Sequence, residues 1–129
     1  MKIEQQVTSL ELSKKLKKLE VKQESFFWFR LRNNEKWELQ YQDQDEENWF
    51  QEGDISAFTV AELGEMLPTI NRVISWQGKV SWYAEGYQHT YYQMQEAPTE
   101  ADARAKMLCV LIKEGIIKIK DSGMEVSEV

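Results

Sequence analysis

Three runs of strand-forming residues, each separated from the next by no more than a turn, limit the folds open to this chain. The runs occupy residues 73–76, 80–84 and 89–94, and Gly78 and Gly86 lie in the short segments between them. Strands joined by turns pair antiparallel with their neighbours in the chain. The sequence therefore predicts an antiparallel meander.

A β-hairpin is predicted ahead of the meander, over residues 26–41. Apolar and basic side chains alternate from Phe29 to Arg32, which is the period of two expected for a strand with one buried face. The asparagine pair at 33–34 tolerates the backbone angles of a turn. Apolar residues then return at every second position from Trp37, so a second strand is expected there.

Two shorter helices are predicted from capping residues and from apolar side chains at helical spacing. Thr8 and Glu11 form a capping-box pattern ahead of the first helix, and Thr59 and Glu62 form another ahead of the second. Pro68 is expected to end the second helix. The first helix is expected to face inward through Leu12, Leu16 and Leu19.

The longest helix is predicted over about residues 99–114, with Thr99 as its N-cap and Gly115 as its C-terminal cap. Its inward stripe is expected to comprise Ala101, Ala105, Leu108, Leu111 and Ile112. The predicted fold is α+β: an antiparallel sheet of four to six strands, made of the hairpin plus the meander, with two or three helices, the longest packed on one sheet face. Residues 1–129 are expected to form a single domain whose tail frays from about residue 121.

Charge is divided unevenly along the chain, whose formal net charge is −6. Residues 1–36 hold nine basic and five acidic side chains, whereas residues 37–129 hold seven and seventeen. No segment has the roughly 20 apolar residues needed to span a bilayer, and the N-terminus lacks the apolar core of a signal peptide. A soluble cytoplasmic protein without membrane contact is therefore expected. Cys109, the single cysteine, is expected to pack as a small apolar residue.

The residues that usually carry catalysis or bind metal ions are sparse. His89 is the single histidine, so neither a structural zinc set nor a Ser-His-Asp triad is supported, and the glycines form no phosphate-binding loop. Residues 42–54 contain six acids and no base, but they lack calcium-loop spacing and are interpreted as a solvated acidic loop. We expect no cofactor, no metal ion and no catalytic residue, although a carboxylate pair would leave little pattern in a sequence.

Lys14, Lys15 and Lys18 are candidate interaction residues on the predicted first helix, away from its leucine face. With Lys17 and Lys22 they form a basic patch of the kind that contacts phosphates. The remainder of the chain is acidic and no second recognition helix follows, so nucleic acid is not the expected partner. A solvated face on an amphipathic helix is the alternative interpretation.

Trp82, Tyr83, Tyr91 and Tyr92 are the other candidate interaction residues. Successive residues of a strand point to opposite faces of the sheet, so one member of each pair is expected on each face. If one face is left uncovered, its aromatic side chains can bind a partner. If a second layer of helices covers that face, the same side chains fill a core instead.

Three blocks of the sequence carry a resemblance to a known family: VTSLELSKKL with its continuation to residue 25, SAFTVAELGEMLP at 56–68, and TEADARAKML within 99–117. They resemble a family of small uncharacterised proteins of tailed bacteriophages, prophages and related bacterial mobile elements. Glu20 departs from the family pattern, which has glycine at that position. The resemblance implies a phage-associated origin and a bacterial cytoplasm, and it implies no activity.

These patterns favour a non-enzymatic accessory protein that binds a host or phage macromolecule stoichiometrically, with a protein of the bacterial host as the expected partner. A small carboxylate-based enzyme or small-ligand binder is the first alternative, and a weak nucleic-acid binder using the lysine-rich helix is the second. A flat exposed aromatic patch would favour binding of a macromolecule, whereas a deep pocket lined by converging acids would favour the enzyme. The patterns do not determine an oligomeric state.

Overall fold

The computed structural model describes residues 2–42, 49–67, 74–78, 81–88, 91–120 and 123–126. Within these residues a 3-10 turn at Ile3–Gln5 precedes the helices α1 (Leu10–Lys18), α2 (Val60–Met66) and α3 (Glu100–Lys113). The strands are β1 (Phe27–Leu31), β2 (Trp37–Tyr41), β3 (Ile55–Ala57), β4 (Ile74–Gln77), β5 (Trp82–Gln88), β6 (Tyr91–Ala97), β7 (Ile117–Lys120) and β8 (Gly123–Val126).

The described strands pair antiparallel throughout, which confirms the predicted α+β class. The hairpin β1–β2 takes up β3 as a third strand in the order β2-β1-β3, and the meander forms a second sheet in the order β4-β5-β6. The predicted hairpin and the predicted meander thus belong to two separate three-stranded sheets rather than to one sheet. Residues of β8, within the tail predicted to fray, pair with β7 as a terminal hairpin.

One turn of the meander lies elsewhere than the sequence predicts. Gly86 lies inside β5, where it is paired with Gln93 of β6, so the predicted turn at residues 85–86 is wrong. The connection between the two strands falls at residues 89–90, outside the described part of the chain. His89, the single histidine, therefore also lies outside the described residues. A glycine inside a strand permits the close approach of another backbone, which is why it is an ambiguous turn signal.

Helix α3 lies at the centre of the fold. It packs against all three strands of the sheet β4-β5-β6 and also contacts α1, α2 and β7. The predicted inward residues are buried except Ile112, which is partly exposed, and three residues outside the stripe are buried as well: Ala103, Met107 and Cys109. The predicted stripe was too narrow because α3 is covered from more than one side. Burial of Cys109 in this core raises the pKa of its thiol, as expected for a packed cysteine.

The start of α1 corrects the predicted capping box. The hydroxyl of Thr8 is buried, accepts a hydrogen bond from the Phe58 backbone N–H at 3.0 Å and lies 2.6 Å from the Ser13 hydroxyl. Because a tertiary contact occupies this oxygen, Ser9 is the N-cap and accepts from the Leu12 N–H. The two other predicted N-caps are confirmed at Thr59 with Glu62 and at Thr99, where each threonine hydroxyl accepts from the N–H three residues later.

Part of the acidic stretch 42–54 is structured rather than solvated. Asp54 is 4% exposed, and its two carboxylate oxygens accept from Arg30 Nε at 3.1 Å and Nη2 at 2.8 Å. The Gln51 N–H adds a third hydrogen bond at 2.8 Å, and Lys17 Nζ donates to the backbone carbonyl of Asp54 at 3.0 Å. The hydrogen bonds between the Arg30 guanidinium and the Asp54 carboxylate raise the pKa of Arg30. The interpretation as a solvated loop is therefore wrong for Asp54, while residues 43–48 lie outside the described residues.

Helices α1 and α3 end in the same hydrogen-bonded motif. The residue after each C-cap has a positive φ, +70° at Glu20 and +76° at Gly115. The following N–H donates to the carbonyl five residues earlier: Val21 to Leu16 at 3.1 Å, and Ile116 to Leu111 at 2.9 Å. This is the Schellman arrangement, which favours glycine at the positive-φ position. The predicted Gly115 cap is confirmed, and Glu20 occupies the equivalent position in α1.

Replacing Glu20 with glycine is therefore expected to stabilise the protein by about 0.5–1 kcal/mol, because glycine lacks the Cβ that disfavours left-handed backbone angles. Gly115→Ala is the matched control, expected to cost about 1 kcal/mol for the same reason. Apart from the neighbouring residues in the chain and the backbone of α3, no heavy atom of the described residues lies within 4 Å of the position that a Cβ on Gly115 would take, so its effect is one of backbone conformation. Urea denaturation midpoints measure both changes. A destabilising Glu20→Gly would mean that its side chain makes a compensating contact.

Candidate interaction surface

The sheet β4-β5-β6 has one face covered by α3 and one face that points away from it. Ser75 of β4 lies on the covered side, since its hydroxyl contacts Glu100 and accepts from Arg104 Nε at 3.0 Å, both on α3. Trp82 of β5 also packs against the core on this side. Trp76 and Tyr83 are their respective neighbours along the strands and therefore lie on the opposite face.

Trp76 and Tyr83 form a stacked pair on that outer face. They are cross-strand partners, and their ring centroids lie 4.3 Å apart with an interplanar angle of 17°. Trp76 is 41% exposed. Gly78, the residue that follows β4, lies so close that a Cβ there would be 2.7 Å from Tyr83 Cε2, and its N–H donates to the backbone carbonyl of Ser81 at 2.8 Å. The absence of a side chain at residue 78 therefore lets the tyrosine ring lie beside the Gly78 backbone.

Glu96 continues the row as the β6 partner of Tyr83. Its carboxylate is hydrogen-bonded to the Tyr83 hydroxyl, and this bond raises the pKa of Tyr83. The Ser81 hydroxyl donates to the same carboxylate at 3.5 Å. Both partners are hydroxyl groups, and together they orient the Glu96 side chain.

Met94, two residues before Glu96, belongs to the next row of the same face and is 46% exposed. Its cross-strand partner on β5 is Glu85. We call the surface formed by Trp76, Tyr83, Met94 and Glu96 the aromatic face. It combines an exposed aromatic stack, a flexible apolar side chain and a carboxylate on one side of one sheet.

The structure separates the four aromatic residues that the sequence singles out. Trp82 packs against the core, although part of its surface is exposed, and Tyr83 belongs to the aromatic face. By the strand register, position 91 belongs to the same face of the sheet as Trp82, and position 92 belongs to the same face as Tyr83. The backbone of Tyr91 and Tyr92 is described, and their side chains lie outside the described part.

Trp76, Met94 and Glu96 were not identified from the sequence. The alternation within each strand is visible there, but Trp76 joins Tyr83, and Tyr83 joins Glu96, only through the register of three strands. The register of a hairpin follows from the position and length of its turn, so correctly placed turns would have predicted the row Trp76–Tyr83–Glu96. The second turn was predicted at residues 85–86, and the register of β6 could not be derived from it.

The candidate lysines lie on a different surface. Lys14, Lys15 and Lys18 are exposed on α1, and Lys14 Nζ lies 5.3 Å from the ring centroid of Trp37 on β2. Helix α1 packs against α3 and β3, whereas the aromatic face points away from α3. The structure therefore does not bring the lysines and the aromatic face together into one site.

A cavity of about 480 Å³ lies where α2 and α3 begin. Trp82 and the two N-cap threonines, Thr59 and Thr99, contribute to its wall. Glu100 is the one carboxylate among its described lining residues, and it already contacts Ser75 and, at 3.7 Å, Arg104. This lining lacks the converging acids that would favour an acid–base enzyme.

A smaller apolar groove of about 380 Å³ lies at the other sheet, between the 3-10 turn and the ends of β1 and β2. Its lining includes Ile3, Phe26 and Tyr41, which are 46%, 65% and 59% exposed. The groove provides exposed aromatic residues that serve as controls for the aromatic face.

The described residues contain no group of three or more His, Cys, Asp or Glu side chains positioned to hold a metal ion. None of their helices combines the length and the apolar composition needed to cross a bilayer. Comparison with known proteins finds no matching family model, no similar curated protein and no similar solved structure.

Proposed function

We propose that this protein is a non-enzymatic binding protein that engages one macromolecular partner stoichiometrically through the aromatic face. The observation that supports the proposal is the stacked pair Trp76–Tyr83 on a sheet face that α3 leaves open. Tryptophan and tyrosine are enriched among the residues that contribute most to binding free energy in protein interfaces. The partner is a protein.

The stack is suited to this role because its geometry exists before binding. Immobilising a mobile side chain at an interface costs about 0.5–1.5 kcal/mol. Trp76 is held against Tyr83, which is held in turn by Gly78 and by the hydrogen bond to Glu96. Much of this ordering cost is therefore met during folding. Met94 supplies an adaptable apolar side chain at the margin, as methionine does on other binding surfaces.

The setting of this interaction follows from the sequence resemblance to small proteins of bacteriophages and related mobile elements. A protein of that kind acts in the bacterial cytoplasm, so the partner is a host or phage macromolecule there. Catalysis by paired carboxylates is a weaker alternative, because Glu100 is the one acid in the described lining of the cavity where α2 and α3 begin. Nucleic-acid binding through α1 is also a weaker alternative. One of the exposed lysines of this helix, Lys17, already donates a hydrogen bond to the Asp54 carbonyl within the protein.

Trp76→Ala tests the proposal after a partner has been recovered by pull-down from the bacterial host and purified. Loss of a central interface tryptophan typically costs about 2 kcal/mol or more, which is roughly a 30-fold loss of affinity. Phe26→Ala removes a more exposed aromatic residue from the other sheet and is expected to change affinity less than about threefold. Calorimetric titration should saturate near one-to-one with the unmodified protein.

Two outcomes would contradict the proposal. Equal affinities of the unmodified protein and Trp76→Ala would remove the aromatic face from the interface. Complete conversion of the partner or of a metabolite by substoichiometric protein would show turnover and identify an enzyme. Thermal melts of both variants serve as a control for folding, and each is expected to stay close to the unmodified protein because both side chains are exposed.

A further inference from the structure

We infer that the partner adds an extended segment antiparallel to β4, as a fourth strand of the sheet β4-β5-β6, and stacks an aromatic side chain on the open ring face of Trp76. The inference rests on the proposed function and names how the partner is recognised at the same surface. Three features carry it: the backbone groups at the edge of β4, the direction of the Trp76–Tyr83 stack, and the composition of β4.

Strand β4 is an edge of its sheet, because it pairs with β5 on one side and with no described strand on the other. Hydrogen-bonded pairs alternate along an antiparallel ladder. The Gly78 N–H donates to the carbonyl just before β5, so the next hydrogen-bonded pair in this register is Trp76 with Tyr83. The backbone N–H and C=O groups of Ser75 and Gln77 therefore point away from β5, toward the open edge.

An extended polypeptide supplies the complement of these edge groups. Ser75 and Gln77 each present one donor and one acceptor, at the two-residue spacing with which a strand presents its own. A strand running antiparallel to β4 would exchange two hydrogen bonds with each of them, and every described strand pair of this protein is antiparallel. In this mode of peptide recognition, main-chain hydrogen bonds supply affinity and side chains supply specificity.

The direction of the stack puts the open ring face of Trp76 beside the added strand. The ring centroids of Trp76 and Tyr83 are 4.3 Å apart, close to the spacing of about 4.8 Å between neighbouring strands. The rings therefore stack along the direction that runs across the sheet. Tyr83 covers the ring face of Trp76 that is directed toward β5, so the other ring face is directed outward beyond β4. The tryptophan is 41% exposed.

The partner residue opposite Trp76 determines specificity. It forms the non-hydrogen-bonded pair between Ser75 and Gln77, where the side chains of facing strands come closest. An aromatic residue there would extend the existing stack by a third ring, and aromatic pairs are among the favourable cross-strand pairs. Tyr83 and Glu96 lie on the far side of the indole, so they hold Trp76 in place and do not contact this residue.

The composition of β4 leaves its edge open to strand addition. Its four residues, Ile74–Gln77, include no charged residue and no proline, which are common means of protecting an edge. Two other edges are occupied from within the protein. On β6 the outward carbonyl of Glu96 accepts from Lys106 Nζ at 2.8 Å, and on β3 the outward N–H of Ser56 donates to the Gln23 side chain at 2.9 Å.

Peptide titrations of the unmodified protein, followed by nuclear magnetic resonance, test the inference. The probe is the synthetic peptide Ac-Ser-Thr-Val-Tyr-Val-Thr-Ser-NH2, whose tyrosine would lie opposite Trp76 and whose valines would pair with Ser75 and Gln77. The peptide should shift the backbone amide resonances of Ser75 and Gln77 and the indole resonance of Trp76, which Trp76→Phe assigns. An analogue with alanine in place of the tyrosine should bind about five- to tenfold more weakly.

Two N-methylated analogues separate strand pairing from general adhesion of the peptide. Methylation of both valine nitrogens removes the N–H groups that face β4 and should weaken binding at least about tenfold. The matched control carries the two methyl groups on the first threonine and on the tyrosine. Their N–H groups point away from β4, so this analogue should bind like the parent peptide.

Gln77→Pro blocks the edge from the side of the protein. A proline is tolerated in an edge strand where its missing N–H faces solvent, so the pairing of β4 with β5 should persist. This variant should bind the peptide at least about tenfold more weakly, whereas Gln77→Thr, which keeps the N–H, should bind it unchanged. Thermal melts establish whether each variant folds, and the methylated peptides test the inference on the unmodified protein if Gln77→Pro does not.

Three outcomes would overturn the inference. They are equal binding of the parent and valine-methylated peptides, absence of shifts at Ser75 and Gln77, and unchanged peptide binding by a folded Gln77→Pro. Concentration-dependent self-association of the unmodified protein that Gln77→Pro abolishes would also overturn it, because the edge would then belong to a second copy of this chain.

Failure of this inference is distinguishable from failure of the proposed function. If Trp76→Ala weakens binding of the purified partner while a folded Gln77→Pro leaves its affinity unchanged, the aromatic face is the interface and strand addition is wrong. If Trp76→Ala leaves the affinity for the partner unchanged, the proposed function is wrong, whatever the peptides do.

Discussion

Replacing Arg30 with methionine is expected to lower the free energy of unfolding by about 3 kcal/mol, because it leaves Asp54 as an uncompensated buried carboxylate. The two side chains are only 14% and 5% exposed and make a bidentate ion pair at 2.8 and 3.1 Å. Arg30 Nη2 also donates to the Trp49 carbonyl at 2.7 Å, so the variant loses a link between β1 and the segment before β3. Urea denaturation measures the change.

Arg32→Met is the matched control for Arg30→Met. Arg32 pairs with Glu38 at 3.4 Å, but both side chains are 50% exposed. Exposed ion pairs contribute about 0–1 kcal/mol, so this variant should lose little stability. The double variant Arg30→Met with Asp54→Asn should recover part of the loss, because it removes the buried charge together with its partner. Similar losses for Arg30→Met and Arg32→Met would show that the Arg30–Asp54 pair contributes no more than a surface pair.

Leu108→Ala is expected to cost about 2–5 kcal/mol, the range observed for leucines buried in well-packed cores. Leu108 is 0% exposed and lies on α3 in the cluster of buried residues that also includes Leu16, Leu63 and Ile117. Truncation would leave a cavity where this helix contacts several other elements. The cost should fall in the upper part of the range if the surrounding helices and strands cannot close the cavity.

Leu31→Ala removes the same number of atoms from a leucine that is 53% exposed on β1 and provides the control. Its cost should remain below about 1 kcal/mol, because little apolar surface is removed from water there. Midpoints of urea denaturation at equal slope compare the two variants directly. A loss below about 0.5 kcal/mol for Leu108→Ala would mean that α3 is not the centre of the core.

Features that depend on residues close together in the chain could be predicted from the amino-acid sequence. The capping box of Thr59 with Glu62 and the C-terminal cap at Gly115 were predicted correctly because their hydrogen bonds span only three to five residues. The helix and strand types followed from the spacing of apolar residues, as did the hairpin β1–β2. The α+β class followed from the combination of these elements.

Tertiary contacts decided the features on which the sequence prediction failed. Thr8 lost its capping role because the Phe58 N–H, fifty residues away, bonds to its hydroxyl. Asp54 is buried rather than solvated because Arg30, twenty-four residues earlier, supplies a paired charge. Ala103 and Met107 are buried because α3 contacts helices as well as a sheet. A local pattern contains no information about such distant partners.

The aromatic face shows the same division between local and tertiary determinants. Alternation along a strand put Trp82 and Tyr83 on opposite faces of their sheet, which the sequence alone establishes. Which of the two faces stays open depends on where α3 packs, and α3 covers the side of Trp82. Trp76 and Glu96 join Tyr83 only through the register of β4 and β6 with β5. The open face was therefore decided by packing, because burial is a property of the assembled elements and not of any one of them.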